Sequence, residues 1–308
     1  MEQILRLNNY FKERFGTKVY KVSLNGNMTC PNRDGTISTG GCIFCSEGGS
    51  GDFSSSPDLT ISAQIDDAVK RVGQKIKNGK YIAYFQAYTN TYAPVSYLRN
   101  IFFEAIAHPD IVGISIATRP DCLPEDVLNL LNELNHIKPV FVELGLQTSN
   151  SDSARLINRG YDNSTFENAV YALNNINIEI VVHMIIGIPG EQHDDIMNTI
   201  NYINKYPIKG IKLQLLHVLK HTALEQMYKD SPELFHYMNL NDYVEILGEC
   251  IELLRPDIVI HRLTGDGPKS ILLAPEWSGN KKKVLNTING YMSGHNITQG
   301  RKYLPYGT

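Results

Sequence analysis

Nowhere in this chain of 308 residues does an apolar run approach the roughly 20 residues that a membrane span requires; the longest, 180–188, is broken by His183. Glu2, Arg6, Lys12, Glu13 and Arg14 come before any apolar segment, so neither a secretory leader nor a membrane anchor is expected, and the expected location is cytoplasmic. Charge of one sign is scarce as well. Against 32 Asp and Glu stand 29 Lys and Arg, and the resulting net charge of -3 gives no global case for binding a polyanion. Repeats, low-complexity tracts and Pro- or Ser-rich linkers are missing, so composition does not divide the chain. What is present is the balance of a folded protein: 42% hydrophobic and 20% charged residues exclude wholesale disorder, and the 24 glycines and 14 prolines follow no collagen period. Cysteines number five, an odd count that argues against a disulfide framework. In a reducing compartment, clustered cysteines mean metal binding or catalysis.

After an amphipathic start, with Ile4, Leu5, Leu7, Phe11 and Phe15 in helical spacing, short β-rich runs alternate with helix-period segments. Strands are predicted at 19–24, 81–86, 111–117, 140–146, 178–186 and 211–217, with a seventh candidate at 257–263. Helices are predicted at 61–77, 95–107, 124–135, 164–175 and 193–205. Such alternation predicts an α/β fold with a parallel sheet covered by helices, curled or closed into a partial barrel. The nearly continuous apolar runs 111–117 and 178–186 suit interior strands. Two stretches depart from the alternation: a Gly/Ser-rich segment, 25–57, too long for an idle loop, and the tail from residue 264. Charge is uneven along the chain, +2 over residues 1–50, -10 over 51–268 and +5 over 269–308. Lys281, Lys282, Lys283, Arg301 and Lys302 in the basic tail are candidate phosphate contacts, although a solvated helix face is the plainer account of the triple lysine.

Cys30, Cys42 and Cys45 lie in the long loop as C-x11-C-x2-C. Three thiolates on a Gly-rich loop suit a metal, because such a loop can wrap an ion or cluster and turn backbone amides toward its sulfurs. A structural zinc site needs a fourth protein ligand; the first histidine is His108, and no fourth cysteine appears before Cys122. A [4Fe-4S] cluster with one iron open to an exogenous ligand fits three cysteines as they stand. Zinc and three unrelated buried cysteines are the alternatives. Cys122 and Cys250, alone on apolar segments, read as small core residues.

A three-cysteine loop after the first strand of a βα-repeat chain resembles the radical S-adenosylmethionine enzymes, with a spacing longer than their common C-x3-C-x2-C. The branch it looks most like is the one related to the Elongator radical domain, and within that branch the bacterial YhcC/YtqA family. The likeness runs along nearly the whole chain, through YFQAYTNTYAP (84–94), ATRPDCL (117–123), VELGLQTS (142–149), HMIIGIPGE (183–191), LQLLHVLKHTAL (213–224) and HRLTGDGP (261–268). It implies a partial (β/α)6 barrel of parallel strands over 1–263, its cluster-binding loop at 25–57 after the first strand, and a C-terminal extension, 264–308, packed across or beside the open side. The resemblance further implies a [4Fe-4S] cluster on Cys30, Cys42 and Cys45, whose open iron binds S-adenosylmethionine and delivers the electron that releases a 5′-deoxyadenosyl radical. The electron would come from a donor such as flavodoxin or ferredoxin. Phe44 takes the place of the aromatic residue beside the adenine. Gln86, Tyr88 and Asn90 stand where the family binds the methionine amine, without the Gly-Gly-Glu common there. Glu143 and Gln147 flank a strand end where a ribose hydroxyl is held, whereas strand alternation makes Glu143 a salt-bridged interior residue. His183, Ile185, Gly187 and Glu191 fall on the adenine-binding GxIxGxxxE pattern, with histidine at the first glycine.

Arg119, at the C-terminal end of the third strand, is a candidate to hold a carboxylate or phosphate, or else to pair with Asp121. His217 is either a substrate-side group or a hydrogen-bonded core histidine. Gly265-Asp-Gly-Pro-Lys269-Ser270 invites comparison with a P-loop, but Pro268 stands where glycine is required; Arg262, Asp266 and Lys269 remain candidate contacts. The acid pairs Asp66/Asp67 and Asp194/Asp195 read as dipole-complementing helix starts. The function implied is a radical enzyme acting on the C5 side chain of wobble uridine in tRNA. Two alternatives are a radical enzyme for a small metabolite and a zinc-stabilised RNA-binding protein without turnover.

Overall fold

The computed structural model describes residues 3–49, 55–73, 79–265 and 267–305. Asp266 and the stretch 50–54 of the long loop lie outside the described residues. The strands are β1 (Val19–Leu24), β2 (Lys80–Phe85), β3 (Ile111–Thr118), β4 (Val140–Gln147), β5 (Glu179–Ile186), β6 (Gly210–Leu215), β7 (Val218–Leu219), β8 (Val259–Arg262) and β9 (Leu272–Ala274). The helices are α1 (Leu7–Phe15), α2 (Ile61–Gly73), α3 (Val95–Ala107), α4 (Glu125–Asn135), α5 (Ser151–Leu156), α6 (Asn163–Asn175), α7 (His193–Asn204), α8 (Ala223–Asp230), α9 (Leu240–Leu253) and α10 (Lys281–Gly294).

Seven strands form one sheet in the order β1-β2-β3-β4-β5-β6-β8, every pairing parallel, curled into a half-barrel. The count exceeds the six expected, because the candidate strand at 257–263 joins the edge as β8. Helix propensity alone does not hold this arrangement. Buried faces of the helices do, as with Leu98, Phe102 and Ala105 of α3 and Phe166, Val170 and Leu173 of α6, which join the outward faces of the strands in one core. Caps set several boundaries: Asp162 accepts from Thr165 N at the start of α6, and Gln192 and Asp195 close a capping box on α7. Asp195 therefore has the helix-start role expected of it.

The concave side of the sheet is different. Strand alternation turns Lys21, Tyr84, Ser115, Glu143, His183 and Lys212 toward one another there, and they interact as a polar network. At the N-terminal end of the strands α1 forms a plug, with Phe11 packed on Val19, Ile82 and Phe141. Ile260 N donates to Leu5 O at 2.8 Å, so the entry segment is joined to β8 while α1 contacts β1. The tail from 264 lies beside the barrel: β9 pairs antiparallel with β7, and α10 packs on α9. Among the described residues no helix is long and apolar enough to cross a membrane.

Candidate active site

The loop after β1 carries the three cysteines to the C-terminal edge of the sheet, where they line a cavity of about 410 Å³ together with Phe44, Gln86, Tyr88, Arg119, Gln147, Ile185 and His217. Several specific bonds hold the loop in place. Asn32 Nδ2 donates to Asn158 O at 2.6 Å, Asn158 Nδ2 to Gly41 O at 2.7 Å, and Ile43 N to Ile157 O at 3.1 Å. The turn after α5 can make these contacts because Asn158 and Gly160 adopt left-handed backbone conformations, φ 54° and 82°. Gly49, also left-handed, packs under the ring of Tyr88, which a Cβ at that position would strike.

All five cysteines are free of disulfides. Cys45 hydrogen-bonds Cys42 and brings its pKa down to about 7 against the effect of burial, helped by the charges of Arg119 and Arg33 and by the Asn32 amide. Sharing that proton, together with burial, pushes Cys45 well above the ordinary thiol range. Among the described residues no three His, Cys, Asp or Glu side chains already form a compact group around a single ion. The thiols instead line a cavity whose wall carries, among the described residues, five basic side chains, Arg33, Arg119, Arg159, Lys212 and Arg262, against one carboxylate, Glu143. That donor set and charge suit an anionic iron–sulfur group and a zwitterionic ligand beside it. Cys122 and Cys250 are buried core residues; burial moves the Cys122 thiol up to about 12.

Not every expected contact reaches the wall. Asn90 is buried behind it, donating Nδ2 to Ala117 O at 2.9 Å. Gly187 and Glu191 are also away from it. Glu191 accepts from Thr148 Oγ1 at 2.5 Å, tying the end of β4 to the start of α7. Glu143 lines the cavity but has no oxygen left for a ribose. Lys21 Nζ and Ser115 Oγ reach Oε1 at 2.5 and 2.7 Å, while His183 Nε2 at 2.6 Å and Lys212 Nζ reach Oε2. Burial alone would raise its pKa, but Lys21 and Lys212, with the His183 hydrogen bond, hold it well below the carboxylate range. His183, desolvated and close to Lys212, falls to about 4 and is neutral. Its place in the adenine pattern is therefore occupied by a side chain engaged with Glu143.

Arg119 also faces the cavity, with Nε and Nη2 on the two oxygens of Asp121 at 2.9 and 2.7 Å and Nη1 on Arg159 O at 2.9 Å. Its guanidinium stacks on Tyr161, 4.8 Å from the ring centre. Those bonds assign it to holding the rim. The Gly265 and Gly267 pair has a steric explanation: a Cβ on either would come within 2.6 or 2.8 Å of the His217 ring. Lys212, which no sequence motif singles out, is 4% exposed and buried in the network. Its signal was the alternation of Lys212 and Gln214 with apolar neighbours in β6, both facing the cavity.

Residues 33–203 match the sequence model of the Radical SAM superfamily, and residues 208–293 match the Radical SAM C-terminal domain. The YtqA protein of Bacillus subtilis (strain 168) is 44% identical over 295 residues, covering 96% of this chain and 91% of that one. Protein YhcC of Escherichia coli (strain K12) is 33% identical over 311 residues, covering 98% and 99%. Elongator complex protein 3 of Schizosaccharomyces pombe is 23% identical over 239 residues, 71% of this chain and 42% of that protein. Among solved structures, the archaeal Elp3 of Methanocaldococcus infernus superposes with a TM-score of 0.66 at 16% identity, over 91% of this chain and 64% of that one, which establishes likeness of fold.

Proposed function

Since the chain belongs to the Radical SAM superfamily and, within it, to the family of YtqA and YhcC, we propose that this radical S-adenosylmethionine enzyme, whose cofactors are a [4Fe-4S] cluster and S-adenosylmethionine, modifies the C5 side chain of wobble uridine in tRNA. Relationship to Elongator complex protein 3 over 71% of the chain carries the tRNA reading. When bound, the cluster and S-adenosylmethionine would supply one-electron cleavage of the sulfonium bond and with it a 5′-deoxyadenosyl radical, which is the chemistry an inert C–H bond requires. Cys30, Cys42 and Cys45 hold the cluster, and the loop contacts of Asn32 and Asn158 keep the thiols at the mouth of the barrel. Phe44, Gln86, Tyr88, Gln147 and Ile185 are the wall residues that would hold the cofactor. The target base would unstack to enter, as bases do for enzymes that act on them.

Phosphate contacts fall to Lys281, Lys282 and Lys283, all exposed in the first turn of α10. Cations there oppose the helix dipole, at a cost of about 0.3–1 kcal/mol each. Arg301 and Lys302 leave that set: both pair with the buried Glu252, Lys302 at 2.8 Å. The tail beyond 264 is then an extension of a core formed by 1–263, the enzyme is cytoplasmic, and flavodoxin or ferredoxin supplies the electron. Mass spectrometry of tRNA nucleosides from a deletion strain and its parent tests the reading. A changed wobble uridine in the deletion supports it. Identical nucleosides would favour the small-metabolite alternative.

A further inference from the structure

The basic side chains on the cavity wall divide into two groups with different partners. Arg33, Arg119 and Arg159 surround the cysteine end and use their donors locally: Arg33 on Cys45 O and Ser46 O, Arg119 on Asp121 and Arg159 O, and Arg159 on the carbonyls of Leu146, Thr148 and Tyr161. Their charge answers the thiolates. The deeper group lies at mid-sheet, with Lys212 third of six residues in β6 and Glu143 fourth of eight in β4. Lys212 is paired in register with His183 on one side and Arg262 on the other.

In this deeper group two ammonium ions share one carboxylate. Lys21 Nζ takes Oε1 of Glu143 and Lys212 Nζ takes Oε2. Glu143 is fully buried, and the side chains of Lys21 and Lys212 are 15% and 5% exposed. His183 is neutral and contributes no anion. Counted over the described residues Lys21, Lys212 and Glu143, the network holds two cations on one carboxylate, and a cation buried without a matching anion costs several kcal/mol. Lys212 registers the excess: burial, Lys21 and Arg262 bring its pKa to about 7 in spite of Glu143. Its Nζ is bonded to Tyr84 Oη at 2.8 Å and to Glu143, which leaves the third of its N–H donors for the cavity it lines.

We propose that the deep end of the cavity is an oxyanion subsite for the substrate, in which Lys212, with Arg262 beside it, holds a carboxylate or phosphate carried by the group that enters the barrel. The anion completes the charge of the network and fixes the substrate end opposite the cysteine loop, placing the intervening C–H bonds toward the cofactor. This inference rests on the cavity being the substrate chamber and does not require the substrate to be tRNA.

The test uses anaerobically reconstituted protein loaded with S-adenosylmethionine, titrated calorimetrically with acetate and separately with inorganic phosphate, chloride keeping the ionic strength constant. Saturable binding of acetate assigns a carboxylate, and of phosphate a phosphate. Lys212→Met should weaken that binding about tenfold or more, the loss expected for one charged hydrogen bond, while Lys212→Arg retains it. Iron content and affinity for S-adenosylmethionine should match the parent in both variants. Should Lys212→Met fail to accumulate, Arg262→Gln, at a half-buried position, takes its place with a severalfold loss expected. The proposal is overturned if neither anion binds the parent, if the substituted protein binds as well as the parent, or if anion and S-adenosylmethionine displace each other, which would assign the subsite to the cofactor. Measured alongside, failure of the parent to bind tRNA would remove the tRNA reading and leave the subsite standing.

Discussion

Asn32 donates its side-chain amide to Cys42 Sγ at 3.7 Å while the same Nδ2 reaches Asn158 O at 2.6 Å, so one buried amide both anchors the cysteine loop and touches a thiol proposed to hold the cluster. A hydrogen bond to a ligating sulfur withdraws electron density and favours the reduced cluster. Asn32→Leu should therefore lower the cluster's midpoint potential, by about 20–60 mV if the bond contributes the usual 0.5–1.5 kcal/mol to a one-electron couple. Redox titration followed by electron paramagnetic resonance reads the shift directly. Asn158→Ala, which removes a loop anchor and leaves the amide near the sulfur, should move the potential less.

Cysteine replacements separate ligand from core. Ala at position 30, 42 or 45 should abolish iron loading and with it formation of 5′-deoxyadenosine, because each change removes one of three thiolate anchors. Cys122→Ala and Cys250→Ala should load iron normally, Cys250→Ala losing about 1–2 kcal/mol of stability for a small cavity in a fully buried site. Iron and sulfide analysis with chromatography of the nucleoside product checks all five. A Cys42→Ala protein that cleaves S-adenosylmethionine at the parental rate contradicts the assignment.

Two buried carboxylates give opposite pH signatures. Burial raises Glu191 from 4.5 to about 7, with the charge of Asp195 adding to it and the hydroxyls of Thr148 and Ser153 opposing it. Between those values the folded protein keeps a proton that the unfolded chain has lost, so stability falls as pH rises through the window, by about 3 kcal/mol over its full width. Glu191→Gln should flatten that slope in urea denaturation measured from pH 5 to 8. For Glu143 the folded pKa is depressed; its contribution is present above the unfolded value of 4.5 and is lost as pH falls below it. Glu143→Gln should remove that acid-side loss and lower stability at neutral pH by about 3–5 kcal/mol, since Lys21 and Lys212 are left buried without their anion.

Elements whose signal is local were legible in the sequence. The predicted strand at 19–24 is β1 to the residue, and the helix predicted at 95–107 is α3, because period and turn residues are carried within each segment. The cysteine loop was equally legible, since its spacing is a local pattern. Partners across the sheet were not. Alternation in β6 displays Lys212 and Gln214 on one face, but that this face is concave, and that Glu143 lies opposite, depends on strand order. Arg301 and Lys302 looked like free phosphate contacts for the same reason: Glu252, which pairs with both, is some fifty positions away in α9.

That last pairing makes the proposed tRNA surface a sharp experimental question. Lys281, Lys282 and Lys283 are exposed on the first turn of α10, whose N-terminus is capped by Asn280 accepting from Lys283 N at 3.1 Å. Changing all three to Ser leaves that backbone cap in place and removes three charges that oppose the helix dipole, so the dipole contribution to stability should rise slightly. Affinity for tRNA should fall, and the slope of log affinity against log salt should drop by about 0.7–0.9 for each phosphate that a lysine no longer neutralises. Arg301→Ser has the reverse pattern: it breaks a pair with a carboxylate that is 2% exposed and should lower stability while leaving the salt slope alone. Fluorescence anisotropy with labelled tRNA at several salt concentrations, beside urea denaturation of the same proteins, distinguishes the two. A salt slope that the triple change does not alter would move the phosphate contacts away from α10, to the basic N-terminal segment or the rim around Arg33.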